Sequence, residues 1–332
     1  MKKNLIALAV LAASGITSAQ SNVTLYGIVD AYVGSSKTAG VRNTGVQSGG
    51  VSGDRFGFKG SEDLGGGLKA NFVLEQGFNI DNGAQGTAGQ MFGRQSYVGF
   101  SGGFGEVRVG KSFSPFDDIS GATTPGFDSV LSPSVNVWRS TFTDYNANPA
   151  NTVYYATPSL SGFSGAASYS LGENKTALVK AGKIASVSAK YEGGPIYAGV
   201  AYQTEKANGA AVESKFTRVN GSYDLGVIKL LAGYGHVAGL GIVGSKTDEY
   251  QVGADFPLSS ALTISGGFAQ SKTTDRGVGF ADTKRTGLGL AASYSLSKRT
   301  SLYGGVQSSK EKSTGTPDVK ADLYAVGVRH TF

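Results

Sequence analysis

DLYAVGVRHTF, residues 322–332, sets the terms on which the whole chain is read. Tyr324, Val326, Val328, His330 and Phe332 share one parity; Ala325, Gly327, Arg329 and Thr331 share the other. In an extended strand, side chains two residues apart point to the same face, so this segment has one apolar and one mixed face. A last strand that ends on an aromatic carboxy-terminus has the form of the assembly signal of outer-membrane barrels, and Phe332 carries it here. An ordinary edge strand ending in Phe has the same local pattern, so the rest of the chain must discriminate.

Working outward, the same alternation recurs. In NVTLYGIVDAYVGSS (22–36), Val23, Leu25, Gly27, Val29, Ala31 and Val33 lie on one face, and Thr24, Tyr26, Ile28, Asp30 and Tyr32 on the other. Residues 40–49 read as a polar loop. Residues 50–60 then place Phe56 and Phe58 opposite Arg55 and Lys59, and residues 68–80 place Ala70, Phe72 and Leu74 opposite Lys69, Asn71 and Glu75. Residues 91–101 set Tyr97 and Gly99 opposite Arg94 and Ser96, and Glu106 to Lys111 set Val107 and Val109 opposite Arg108. Continued to Phe332, the alternation gives sixteen strands. Short glycine-rich turns such as Glu62–Gly67 alternate with longer polar loops. An even strand count with alternating short and long connections is the signature of a closed transmembrane barrel. A soluble sandwich or propeller would not alternate its connections so regularly. Parity alone leaves open which way the apolar face points. The expected fold is all-β: a 16-stranded antiparallel transmembrane β-barrel over residues 20–332.

The amino-terminus supports export. Lys2 and Lys3 precede the apolar run LIALAVLAA (5–13), and Thr17-Ser18-Ala19 supplies small residues for cleavage before Gln20. Residues 1–19 therefore read as a secretory signal peptide, too short in apolar length to span a bilayer.

One segment breaks the rhythm. KSFSPFDDISGATTPGFDSVLSPSVNVWRSTFTDYNANPAN (111–151) holds four prolines and the chain's single Trp. Proline on that scale excludes a central strand or a long helix, and the aromatics Phe113, Phe116, Phe127, Trp138 and Phe142 exclude a disordered linker. Either it covers one end of the fold or it folds into a barrel and narrows it.

Several function classes are disfavoured. The chain has 332 residues, no cysteine and a net charge of +6 without basic runs, so nucleic acid is not an expected partner. The two histidines, His236 and His330, leave His236 as the one candidate for a nucleophile–base pair, and there is no GxSxG elbow. The adjacent pair Asp117-Asp118 could hold Ca²⁺ but reads more simply as solvated. No enzyme, cofactor or metal is expected.

The segments VTLYGIVDAY (23–32), GSEDLGGGLKANFVLE (60–75), RQSYVGFSGGFGEVRVGK (94–111), VYYATPSLSGFSGAASYSLG (153–172), SYSLSKRTSLYGGV (293–306) and GVRHTF (327–332) resemble the general diffusion porins of Gram-negative bacteria, most of all the β-proteobacterial branch. The resemblance implies a passive outer-membrane channel for ions and small hydrophilic solutes with a mild preference for inorganic anions. It also implies a homotrimer seated among outer-membrane lipid and lipopolysaccharide, and a third loop, residues 111–151, folded into the lumen. The wall arginines of such porins fall at Arg55 and Arg94, with Lys59 on the same face. A third family arginine falls at Asn148, and Arg139 is the candidate substitute. Against this basic wall the loop would set Asp117, Asp118, Asp128 and Asp144. A substrate-specific channel and a surface adhesin built on the same barrel remain open alternatives.

Overall fold

The computed structural model describes residues 22–141, 144–240, 244–274 and 282–332. The signal-peptide reading of residues 1–19 and the aromatic Phe142 lie outside the described residues. The strands are β1 (Asn22–Thr38), β2 (Val41–Ser48), β3 (Arg55–Gly65), β4 (Leu68–Gly77), β5 (Gln95–Gly102), β6 (Gly105–Lys111), β7 (Thr152–Ala156), β8 (Phe163–Leu171) and β9 (Lys183–Gly193). They continue with β10 (Ile196–Lys206), β11 (Ser214–Asp224), β12 (Lys229–Ala238), β13 (Lys246–Pro257), β14 (Leu262–Thr274), β15 (Thr283–Ser295), β16 (Thr300–Ser313) and β17 (Val319–Thr331). All neighbours are antiparallel, and β1 closes on β17 with Val29 opposite His330 and Val33 opposite Val326.

Seventeen segments fill sixteen places in the wall. The first part of β1, Asn22 to Ile28, pairs with β3, and its later part, Ala31 to Thr38, pairs with β2. Thus β2 and β3 share one place, end to end, and the result is the expected 16-stranded antiparallel barrel. Two local expectations are corrected. Residues 41–48 are strand rather than loop, joined to β1 by a reversal at Ala39 and Gly40, both at positive φ. This polar hairpin lacks an apolar face, so it carries no period-2 signal. The strand expected from Gly50 begins only at Arg55, because residues 49–54 bend out of the ladder. The Asp30 carboxylate holds that bend, accepting from the backbone N–H of Gly50 (3.2 Å), Val51 (2.9 Å) and Ser52 (2.7 Å) and from Tyr303 Oη (2.5 Å).

The apolar parity points outward. Val326 is 69% exposed while its neighbour Ala325 is 3% exposed, and Val23, Leu25, Val33, Phe56, Phe58, Leu288 and Leu290 are likewise exposed. Transfer of each such side chain from water to lipid is worth about 1.5–3 kcal/mol, so a continuous outward band favours a membrane seat. On β5 the expected parity is reversed: Val98 and Phe100 face out, while Tyr97 faces in and stacks under Arg108. The phenol and glycine on that strand belong to the polar face, and the branched and phenyl side chains to the lipid face. At the short-turn end, Phe332 exchanges backbone hydrogen bonds with Gly27 (3.1 Å each way), and its ring is exposed on the outward parity.

The buried apolar residues do not form a central core. Phe116, Ile119, Leu131, Val137, Trp138 and Tyr145, all from the β6–β7 connection, pack against wall residues including Ala201, Phe216, Val237, Ala269, Ala291 and Tyr303. The packing that resembles a soluble interior therefore lies between this connection and one side of the wall.

Candidate functional site

Among its described residues the connection from residue 112 to 151 contains one short 3₁₀ turn, Asp117–Ile119, and it is held by inward-facing groups of β9 to β16. Ser186 accepts from the Phe116 N–H (3.0 Å), and Asn220 Nδ2 donates to Ile119 O (2.5 Å). Gln251 Nε2 donates to Thr123 O (3.2 Å), and Ser265 Oγ accepts from the Gly126 N–H (2.7 Å). Ser271 Oγ donates to Val137 O (2.6 Å), and Gln307 Nε2 to Val135 O (3.3 Å). The proline-broken segment satisfies part of its own backbone through short turns, such as Trp138 N–H on Ser134 O, and short polar side chains of the wall take up other groups.

Two devices fix the segment further. Arg218 on β11 lies between the rings of Phe116 and Trp138, 5.2 Å from each centroid, and donates to Ser120 O (2.8 Å), Ser140 O and Ser140 Oγ (2.9 Å). The Glu249 carboxylate, fully buried on β13, accepts from the backbone N–H of Arg139 and Ser140 and from Ser140 Oγ. Glycines form the rest of the seat. A Cβ at Gly253 or Gly267 would lie 2.3 or 2.8 Å from Pro125 Cγ, and one at Gly289 would lie 2.3 Å from Leu131 O. Sequence parity offered no way to single out Arg218 or Glu249, because an inward charge reads the same whether it anchors a loop or faces water.

Opposite in character is the face from β17 through β1 to β6. Arg55, at the start of β3, lies within electrostatic range of Arg94 and Arg329. The 49–54 bend orients two of them: Arg55 Nε donates to Gly53 O (3.0 Å) and Arg329 Nε to Ser52 Oγ (2.9 Å). Neither has a carboxylate at ion-pair distance among the described residues. Arg94 differs. Its Nε meets Glu75 Oε1 at 2.7 Å, Tyr26 Oη donates to the other carboxylate oxygen (2.9 Å), and the guanidinium lies over Phe113 (5.3 Å). Arg94 precedes β5, so it reaches the inner side through the loop end, not through strand parity. Lys59 lies over the Tyr26 ring (5.2 Å) on the inward parity of β3. Arg108 is a bidentate partner of Glu106 (2.9 and 2.8 Å) between Tyr97 and Tyr154.

Asn148, at the place of the third family arginine, donates to Gly93 O (3.2 Å) and Arg94 O (2.8 Å). The cation there is Lys111, whose Nζ donates to Asn148 O at 2.6 Å. Arg139 does not join the Arg55–Arg94–Arg329 group: it sits on the connection beside Glu249 and pairs with Asp144 (3.3 Å).

The acidic residues divide. Asp117 accepts from Tyr145 Oη and Asp118 from Tyr154 Oη, 2.7 Å each, so the adjacent carboxylates serve different tyrosines rather than one cation. Burial pushes the Asp117 carboxyl up to about 6, partly opposed by the Tyr145 hydrogen bond and supplemented by the charge of Asp118. Asp118 and Asp128 are also raised by the surrounding protein, although both remain open to solvent. His236 does find a carboxylate, Asp248 at 2.8 Å, but Tyr234, not a serine, completes that cluster, and all three stand on the outward parity of β12 and β13.

Comparison with known proteins agrees with this architecture. A family model described as Gram-negative porin matches residues 6–314. Outer membrane porin protein 32 of Delftia acidovorans is 35% identical, with 100% of both chains covered. An outer membrane porin protein of Bordetella pertussis is 28% identical, again over 100% of both. The solved anion-selective porin from Comamonas acidovorans superposes with a TM-score of 0.79 at 27% identity, covering 94% of this chain and 100% of that one.

Proposed function

The chain belongs to the Gram-negative porin family and forms a passive diffusion channel in the outer membrane, and we propose that its interior passes anions more readily than cations. The observation that carries this reading is the pair Arg55 and Arg329, positioned by the 49–54 bend without a carboxylate at ion-pair distance among the described residues. Cations without an ion-paired carboxylate in a narrow aqueous passage raise the local anion concentration and repel cations. Arg94 contributes less, because Glu75 meets its charge, and Lys111 supplies the cation that Asn148 does not. The 112–151 connection, carrying Asp117, Asp118 and Asp128, narrows the passage from the β9–β16 side, and the field runs from the arginines to that loop. Arg139, paired with Asp144, supports the loop rather than the basic wall. The protomers assemble as a homotrimer, and the solutes are small, hydrophilic and preferentially anionic.

The test is the reversal potential of the purified protein in a planar bilayer under a KCl gradient. A potential favouring chloride, reduced in Arg55→Gln/Arg329→Gln, is the expected result. A potential favouring potassium, or one the double variant leaves unchanged, would overturn the assignment.

A further inference from the structure

At the long-loop end of the interior, on the side away from the arginines, lies a cavity of about 530 Å³. It sits between the end of the 112–151 connection and the connection from β10 to β11, bordered by Asn146, Ile184, Glu205, Ala210, Ala211 and Val212. That volume is within the range of small-molecule sites, and most of this lining is apolar. Glu205 has the inward parity of β10, shared with Ala201 and Gln203, which are 2% and 0% exposed. Its carboxylate is fixed through one oxygen. Oε1 accepts from the Asn146 N–H and from Gln203 Nε2, 2.7 Å each. Gln203 Nε2 also donates to Asn146 O (3.0 Å), so strand and loop hold the group jointly, and Oε2 takes none of these bonds.

The charge of Glu205 is unanswered within the described protein. Arg218 lies within electrostatic range of Asp117, Asp128 and Glu249, and Arg108 and Lys190 within range of Asp118. No cation among the described residues acts on Glu205 in this way. Lys206 borders the same cavity, but it stands on the outward parity of β10 with Val200 and Tyr202. Lys183, on the neighbouring strand, meets Glu213 instead (4.0 Å). A carboxylate drawn partly out of water without a counter-charge is held at a cost, which a bound cation offsets.

We infer that this cavity binds an organic ammonium ion, whose head donates to the Glu205 carboxylate while its apolar body lies on Ile184, Ala210, Ala211 and Val212. The two contacts are made together only by such a solute. An inorganic cation gains the carboxylate alone and loses its own hydration. An organic anion gains the apolar lining alone and is repelled by the carboxylate. The site goes beyond the anion preference set by the arginines on the opposite side, and it rests on the reading of the interior as a passage open to water.

The test uses the full protein in a neutral detergent, titrated with phenethylammonium and read by calorimetry, with hydrocinnamate as the anion of similar shape. Glu205→Gln leaves the Asn146 N–H an acceptor, and its apparent affinity for phenethylammonium is expected to fall about tenfold, as for the loss of one hydrogen bond to a charged group. Ala210→Trp, which fills the cavity and leaves the carboxylate in place, is expected to abolish binding. Glu213→Gln, whose carboxylate already meets Lys183, is expected to change nothing. Absence of binding by the wild type, undiminished binding by Glu205→Gln or Ala210→Trp, equal binding of hydrocinnamate, or displacement by millimolar sodium would overturn the inference; the last would assign the carboxylate to an inorganic cation. Bilayer conductance of the same samples separates the two readings. Current without phenethylammonium binding sinks only this inference, whereas absence of current sinks the channel.

Discussion

Two sides of one barrel are built on opposite rules. From β9 to β16 many inward side chains are short and polar, and Ser186, Asn220, Gln251, Ser265 and Ser271 hydrogen-bond the backbone of the 112–151 connection. From β17 through β1 to β6 the inward side chains include the long cations Arg55, Lys59, Arg108 and Arg329, and the connection touches that side through Val130 N–H on Gly50 O, Asn148 on the Gly93 and Arg94 carbonyls, Lys111 on Asn148 O, and Phe113 under Arg94. Support and selectivity are thus kept apart. A loop seated on charged groups would neutralise them, and a basic wall used as an anchor would have nothing left to offer a solute.

The comparison can be broken first at the anchor. Arg218→Ala removes three hydrogen bonds to the loop and leaves Glu249 buried without its neighbouring cation, a loss of about 3–5 kcal/mol by analogy with other broken buried charge networks. The expected result is a larger, noisier single-channel conductance; an unchanged trace would show that the loop does not depend on β11. Next comes the glycine seat. Gly289→Val would press on Leu131 O, with an overpacking cost of about 1–3 kcal/mol, and limited proteolysis should then cut within residues 112–151 faster than in the wild type.

On the other side, Arg55→Gln removes a cation that has no carboxylate at ion-pair distance among the described residues, Glu75 acting on it only at longer range. An effect near 1 kcal/mol at high dielectric corresponds to about a fivefold fall in the chloride-to-potassium permeability ratio. Arg94→Gln should change that ratio less, and Glu75→Gln should raise it by releasing Arg94. Equal effects of Arg55→Gln and Arg94→Gln would remove the distinction drawn between paired and unpaired arginines. The smallest expected effect is that of pH. Asp117 is ionised above about 6 and neutral below, so acidification from pH 7.5 to 5 removes a negative charge from the loop and raises anion preference. In Asp117→Asn the part of the shift centred near 6 should vanish.

Much of the barrel can be read from the chain because alternation is local: a residue's face depends only on its distance from the next apolar position. That rule places Arg55, Arg108 and Arg329 inward correctly. It fails at β2, where both faces are polar, and at β5, where Tyr97 and Gly99 look apolar but face inward. It reads Arg94 inward from a parity that faces outward on β5, whereas Arg94 reaches the interior from the loop end before that strand, and it is silent on Arg139, whose partner Asp144 takes it away from the arginine group.

Composition, period and spacing thus reach as far as an exported all-β chain of sixteen alternating strands broken by one proline-rich segment, since these follow from neighbours in sequence. Which face meets lipid, where the second barrel strand bends, and which arginines lack a carboxylate all depend on closure. Closure brings Asp30 to the 49–54 backbone, Tyr303 to Asp30, and Arg218 to a loop about a hundred residues away. Such contacts join residues with no periodic relation to one another, and only the folded wall sets them side by side.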